Sequence, residues 1–183
     1  MRKLIAAINV TIDGFCDHTA GIADEEIHAH YSELLKNAGT LLYGRITYQM
    51  MESYWPSVVN EPTGNKPLDE FAVLIDNIPK IAYSRTLKNV SWRNSELKHE
   101  INNEEILQLK QLPGKDIVAG SPGLIVALTQ LNVIDEYQLC IHPVVLGNGL
   151  PLFKNISNKF QLKLLKTKTF SNGAVVLYYN PVR

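Results

Sequence analysis

Residues 40–51, TLLYGRITYQMM, carry an apolar strand through Gly44-Arg45 and directly into a helix. A strand that feeds a helix is half of the unit from which α/β sheets are built. At such a junction a glycine lets the backbone approach a ligand, and the first amides of the helix have no internal partner. Those N–H groups and the positive end of the helix dipole together form an anion site. Arg45 and Thr47 would add a guanidinium and a hydroxyl where phosphate oxygens would lie. The segment alone is equally compatible with an ordinary strand-to-helix turn bearing a surface arginine.

Toward the N-terminus, residues 3–10 are a nearly unbroken apolar run, as expected of a strand covered on both faces. Asp13-Gly14 opens a loop to about Ile22. Asp24 is placed to cap a helix over 25–37, with Ile27, Tyr31, Leu34 and Leu35 on one stripe and Gly39 as its stop. Toward the C-terminus, Trp55-Pro56 is expected to end the second helix, leaving a loop over 57–67. A short helix over 67–75 leads to a strand at 80–84, with a further short strand at 90–93 and a modest helix at 100–111. A strand at 116–119 runs into a helix at 121–131, where Ser121 suits the N-cap and Pro122 the first helical position. A strand at 135–142 and a turn-rich PVVLGNGLPLF follow. Two last strands, 159–169 and 174–180, are joined by the hairpin signal Asn172-Gly173. The shift in phase from Phe160, Leu162 and Leu164 to Leu165, Thr167 and Thr169 predicts a bulge. This order predicts one α/β domain over 1–183, its sheet mostly parallel with an antiparallel C-terminal edge.

Composition narrows the partners. Lys plus Arg equals Asp plus Glu at 18 each, so no overall field draws the chain to nucleic acid or an anionic membrane. An anionic ligand therefore needs a local site. Cys16 and Cys140 fit no metal or redox spacing and read as buried thiols. The start MRKLIAAINV lacks a small-residue cleavage site and reads as a first strand, so the protein is expected in the cytoplasm. The Asn-x-Ser matches at Asn89 and Asn155 then have no bearing. No apolar stretch approaches membrane-spanning length.

A second junction, Ala119-Gly120-Ser121-Pro122-Gly123, repeats the features of the first. In an open α/β sheet ligands bind beyond the carboxyl ends of the strands, and two helix N-termini aimed there would suit a pyrophosphate. Ser84-Arg85-Thr86, after the strand at 80–84, adds a hydroxyl and a guanidinium suited to an isolated phosphate; a solvated loop arginine is the plainer alternative.

Five segments in order now carry a resemblance: Asn9-Val10-Thr11-Ile12-Asp13-Gly14; Leu42-Tyr43-Gly44-Arg45-Ile46-Thr47-Tyr48; Tyr83-Ser84-Arg85-Thr86-Leu87; Gly120-Ser121; and Pro143-Val144-Val145-Leu146-Gly147-Asn148-Gly149. The chain resembles the dihydrofolate reductase-like superfamily, and within it a stand-alone RibD C-terminal domain of the riboflavin-biosynthesis reductase type. The resemblance implies a three-layer α/β/α fold, NADPH as cofactor and a homodimer. It implies cofactor contacts at Gly44, Arg45, Thr47, Gly120, Ser121 and Gly123, with Ser84 and Arg85 near the adenosine phosphate and Ala7 beside the nicotinamide. Asn9, Asp13 and Gly14 would flank the substrate, and Gly147 and Gly149 would close its other side. Many relatives carry Gly-Gly where this chain has Gly120-Ser121. The zinc-deaminase half of the bifunctional enzymes is absent, since no His-x-Glu with Pro-Cys-x-x-Cys occurs. The folate-binding helical acid has no clear counterpart, because Asp24, Glu25 and Glu26 sit at a helix start.

Reduction by such an enzyme needs a hydride, an oriented substrate and a proton. Asp13 is the catalytic candidate, for substrate orientation or proton relay; a turn-forming aspartate is the alternative. His28 and His30, two apart on a helix, point to different faces and form no metal pair. His142 either lines the pocket or belongs to the core. Tyr48, Tyr54 and Trp55 read as core, although Trp55 could cover a ring. The leading expectation is an NADPH-dependent reductase of a small pyrimidine- or pterin-type heterocycle. The alternatives are a non-catalytic nucleotide-binding or regulatory module on the same fold, and an α/β protein whose turns hold no ligand.

Overall fold

The computed structural model describes residues 1–21 and 24–182; the predicted end of the first loop, at Ile22, lies outside the described residues. In chain order the elements are β1 Leu4–Thr11, α1 Glu25–Lys36, β2 Ala38–Gly44, α2 Arg45–Asn60, α3 Lys66–Asn77, β3 Lys80–Tyr83 and β4 Ser95–Lys98, then α4 Asn103–Gln111, β5 Asp116–Ala119, α5 Pro122–Gln130, β6 Glu136–His142, β7 Leu162–Thr169 and β8 Val175–Pro181. The eight strands form one sheet in the order β4-β3-β2-β5-β1-β6-β8-β7. From β4 to β6 all pairings are parallel; β8 runs antiparallel to β6 and to β7.

Three layers follow from the alternation of side chains along the strands. Ile5 and Ala7 of β1 face Leu35, Trp55, Phe71 and Ile75 of α1, α2 and α3. Leu4, Ala6, Ile8 and Val10 face Ile106 of α4 and Leu124, Ile125 and Leu128 of α5. Full burial of each of the larger of these side chains, such as Ile5, Leu4 or Phe71, is worth roughly 1.5–3 kcal/mol. The mostly parallel sheet with its antiparallel C-terminal pair is the one the order of elements predicts, and the three α/β/α layers are those the resemblance implies. The predicted bulge is present as well: the β7–β8 register shifts between Leu164 and Lys166.

Three local expectations are corrected. Pro56 does not end α2, which continues to Asn60. Trp55 and Val58 are buried in the core, and the rings of Trp55 and Phe71 lie 4.6 Å apart. Their burial offsets the cost of an interior proline, about 3 kcal/mol. Gly39 is not the stop of α1, whose C-cap is Asn37. It lies inside β2, where the pairing to β5 shifts between Ala38 and Thr40, and a Cβ there would meet the Lys115 carbonyl oxygen at 3.0 Å. Glycine is required at that point for a close backbone approach. Residues 90–93 are not a strand; the fourth strand is Ser95–Lys98. Trp92 instead turns inward, its indole N–H donating to Asp76 Oδ1 at 2.7 Å and its amide to Glu52 Oε1 at 2.9 Å.

Candidate active site

The parallel register brings three chain segments out at one edge of the sheet. Leu42 of β2 pairs with Ala119 of β5, and Gly44 pairs with Tyr83 of β3. The junctions at Gly44 and Gly120 and the Ser84-Arg85 turn therefore leave the carboxyl edge side by side. The first two touch: the Gly44 amide donates to Ser121 Oγ at 2.9 Å. Ser121, the N-cap residue of α5, makes no side-chain bond to its own helix.

That bond leaves both helix starts open. Asp24, Asn65 and Asn102 cap α1, α3 and α4 with side-chain acceptors, and those helices carry acidic residues in their first turns. By contrast, α2 and α5 have neither a side-chain cap nor an acidic residue in the first turn. Among the described residues the Gly123 and Leu124 amides have no acceptor outside their helix. Two positive helix ends without local compensation are thus adjacent at one edge.

The glycines there have no internal steric reason to be glycine. A Cβ on Gly44 would come no closer than 3.6 Å to Ser121, and one on Gly120 no closer than 3.7 Å to Ala7 O and Tyr43. A Cβ on Gly123 would meet nothing within 4 Å. The missing side chains leave room outside the fold, in front of the free amides. Arg45 is exposed and donates to Gln49 Oε1 at 3.2 Å; Thr47 is half-buried one turn into α2. Ser84 is buried, and its hydroxyl accepts the Thr86 and Leu87 amides at 3.1 and 2.9 Å. Its oxygen shapes the turn that presents the exposed Arg85.

Beside these junctions the sheet opens. Pairing of β1 with β5 ends at Ala6↔Ala119, whereas pairing with β6 continues to Thr11↔His142. From Ala7 onward β1 borders a gap on its β5 side. The side chains of Ala7, Asn9 and Thr11 point to the α1 face of the sheet. Asn9 Oδ1 accepts the Tyr31 hydroxyl of α1 at 2.7 Å and lies 3.0 Å from His142 Nε2. Cys140 Sγ lies 3.6 Å from the same nitrogen. Burial pulls the His142 imidazole below its ordinary value and pushes the Cys140 thiol up to about 12, so both are neutral at pH 7.

The loop after β1 and the turn after β6 are stitched together beyond the carboxyl ends of those two paired strands. Ile12 donates to Val144 O at 3.0 Å, Cys16 to Leu150 O at 2.8 Å and Leu152 to Gly14 O at 3.0 Å. Asp13 is the central staple. Its Oδ1 accepts the Thr11 hydroxyl, and its Oδ2 accepts the Leu146 and Gly147 amides at 3.0 and 2.7 Å. The Thr11 hydroxyl first, and the Gly147 amide next, hold its carboxyl below the usual range. Gly147 and Gly149, at φ +76° and +142°, give the turn a backbone that other residues rarely adopt, and Gly149 lies against Phe15.

The residues expected to contact cofactor and substrate therefore leave the sheet at one edge, in a cradle from Ser84 to Gly123 and a stitched pair of loops from Asn9 to Gly149, whereas Trp55 lies in the core. An open concavity of about 670 Å³ between the end of α5 and residues 156–161 contains none of them. Tyr31 and the linkage of His142 to Asn9 were not legible in the sequence. Tyr31 lies on the core stripe of α1, and nothing in the chain signals contact between residues 22 and 133 positions apart.

The model of the RibD C-terminal domain matches residues 2–176. YyaP of Bacillus subtilis (strain 168) is 34% identical over 183 residues, covering 98% of this chain and 95% of its own. A protein from Shewanella sp. PV-4 ascribed to riboflavin biosynthesis superposes with TM-score 0.74 at 17% identity, over 99% of both chains. Dihydrofolate reductase from Enterococcus faecalis, solved with NADP(H) and RAB-propyl, superposes with TM-score 0.64 at 15% identity, over 98% of this chain and 96% of the other. At these identities the two structures establish the shared fold.

Proposed function

Since the chain belongs to the RibD C-terminal domain family, we propose that it is an NADPH-dependent reductase of a small pyrimidine- or pterin-type heterocycle. It would resemble 5-amino-6-(5-phosphoribosylamino)uracil reductase or dihydrofolate reductase. The observation that carries this reading is the adjacency of two uncapped, acid-free helix N-termini, tied by the Gly44–Ser121 bond. The space left by Gly44, Gly120 and Gly123 fits a pyrophosphate against those amides.

In this reading the starts of α2 and α5 hold the pyrophosphate, with Arg45 and Thr47 at its rim. Ser84 holds the turn from which Arg85 reaches a further phosphate, which gives NADPH an advantage over NADH. Ala7 borders the gap that receives the nicotinamide, and the bound cofactor supplies the hydride. Asp13 is ionised with both oxygens occupied, so it acts by positioning: it locks the Gly147–Gly149 turn onto the loop after β1 and helps exclude water. We place the enzyme in the cytoplasm as a homodimer; the exposed Leu164 and Leu165 of the last hairpin supply an apolar contact surface.

The test is thermal denaturation with NADPH, NADH and flavin, followed by NADPH oxidation against a panel of pyrimidines and pterins. NADPH should stabilise most and be oxidised by at least one heterocycle. Absence of any NADPH effect sinks the reading. Binding without oxidation across the panel would favour the non-catalytic nucleotide-binding or regulatory module.

A further inference from the structure

The chain contains two Asn-Gly dipeptides, Asn148-Gly149 and Asn172-Gly173. In such a pair the glycine amide nitrogen can attack the asparagine side-chain carbonyl carbon, because no Cβ shields it and the glycine backbone turns freely. The new N–C bond closes a cyclic succinimide, and the side-chain nitrogen leaves as ammonia. Water then opens the ring at either carbonyl. The products are aspartate and isoaspartate, in which the main chain runs through the former side-chain carbon. The attack needs an amide nitrogen and a carboxamide that no other group holds.

The fold treats the two pairs differently. At the hairpin, the Gly173 amide donates to Phe170 O at 3.0 Å, and Asn172 Oδ1 accepts the Ala174 amide at 2.8 Å. Attacking nitrogen and attacked carboxamide are both committed there, and Asn172 is half-buried. In the turn after β6, Asn148 and Gly149 are both exposed and belong to no strand or helix. Among the described residues neither the Asn148 side chain nor the Gly149 amide makes a hydrogen bond.

The exposed pair sits between two anchors of the stitched loops. Gly147, on one side, donates its amide to Asp13 Oδ2 at 2.7 Å. Leu150, on the other, accepts the Cys16 amide at 2.8 Å, and Phe15 bridges to Pro151. Isoaspartate would lengthen the main chain between these anchors by one carbon. Either product would also add a carboxylate to a turn already held on the Asp13 carboxylate, and like charges repel.

We propose that Asn148 is a spontaneous deamidation site, that its conversion loosens the turn stapled by Asp13, and that the hairpin protects Asn172 from the same chemistry. The loop beside the candidate active site thereby carries an ageing mark that the rest of the fold does not.

The experiment ages the native protein and Asn148→Ser side by side at mildly alkaline pH, where loss of the amide proton speeds the attack. Peptide mapping by mass spectrometry follows each site, and labelled methyl transfer by an isoaspartyl methyltransferase counts isoaspartate. In the folded protein Asn148 should convert about tenfold faster than Asn172 or more, the scale of two hydrogen bonds that must first open at the hairpin. In urea both sites lie in open chain and should convert at similar rates. Converted native protein should lose about 2–4 °C in Tm, the scale of one lost hydrogen bond, while aged Asn148→Ser keeps the Tm of the fresh variant. Equal conversion of the two sites in the folded protein, an intact Asn148 amide, or a contrast that persists in urea overturns the assignment. Full conversion at Asn148 with Tm unchanged overturns the loosening of the turn. No readout uses NADPH or turnover, so the outcome is decided separately from the reductase reading.

Discussion

A methyl group added at Gly123 should separate the fold from the cradle. Gly123 is the second residue of α5, its φ is not positive, and its Cβ would stand in open space. Alanine there relieves the chain entropy of glycine, so Gly123→Ala should stabilise the ligand-free protein by about 0.5 kcal/mol. In a domain of this size that raises Tm by about 1–2 °C. The same methyl would occupy the volume in front of the Gly123 and Leu124 amides, where the pyrophosphate is proposed to sit. Loss of one hydrogen bond to a charged group costs about 1.5–3 kcal/mol, a roughly tenfold to hundredfold weakening. At NADPH equal to about 100 times the native Kd, a hundredfold loss reduces ligand stabilisation from about 2.7 to about 0.4 kcal/mol. Differential scanning fluorimetry with and without NADPH reads both effects. A full NADPH shift in the variant would refute the cradle at α5, and a lower ligand-free Tm would refute the open space at Gly123.

Arg85 is exposed and forms no ion pair among the described residues. Arg85→Ala should leave Tm unchanged while weakening NADPH about tenfold and NADH not at all, measured by fluorescence titration; equal losses would remove Arg85 from the extra phosphate. Asp13→Asn weakens the hold on the Leu146 and Gly147 amides, so turnover should fall with NADPH affinity intact, and unaltered steady-state kinetics would exclude Asp13 from the site. Burial, with Lys168 and Lys166 adding like-charge repulsion, pulls His30 from 6.5 down to about 4. The unfolded chain therefore takes up this proton more readily, and stability that is full above pH 6.5 is lost as pH falls toward 4, by roughly 3 kcal/mol. Urea unfolding across that range should show the loss, and His30→Phe should flatten it; an identical slope in the variant would assign the acid sensitivity elsewhere.

Local patterns carried most of the fold because each lies within a few residues. The strand at 116–119 and the helix after Ser121 were legible from an apolar run, a small-residue turn and a proline at the first helical position. The hairpin at Asn172-Gly173 and the bulge near Leu165 were likewise written in turn chemistry and side-chain phase. The errors came where packing overrode a local preference. Pro56 stays helical because Trp55 and Val58 are buried on either side of it, and Trp92 leaves a strand-like pattern to reach Asp76.

By itself, the sequence determined the order of strands and helices, the glycine-rich junctions at Gly44 and Gly120 and the resemblance that names NADPH, because these depend on neighbours in the chain. Only the tertiary structure decided that Gly44 donates to Ser121, that Asp13 is a staple for Leu146 and Gly147, and that Asn9 is held by Tyr31 and His142. Those bonds join residues up to 134 positions apart. Hydrogen bonding is directional and short-ranged, so which side chains meet depends on strand register and helix placement, and neither is written in any one segment.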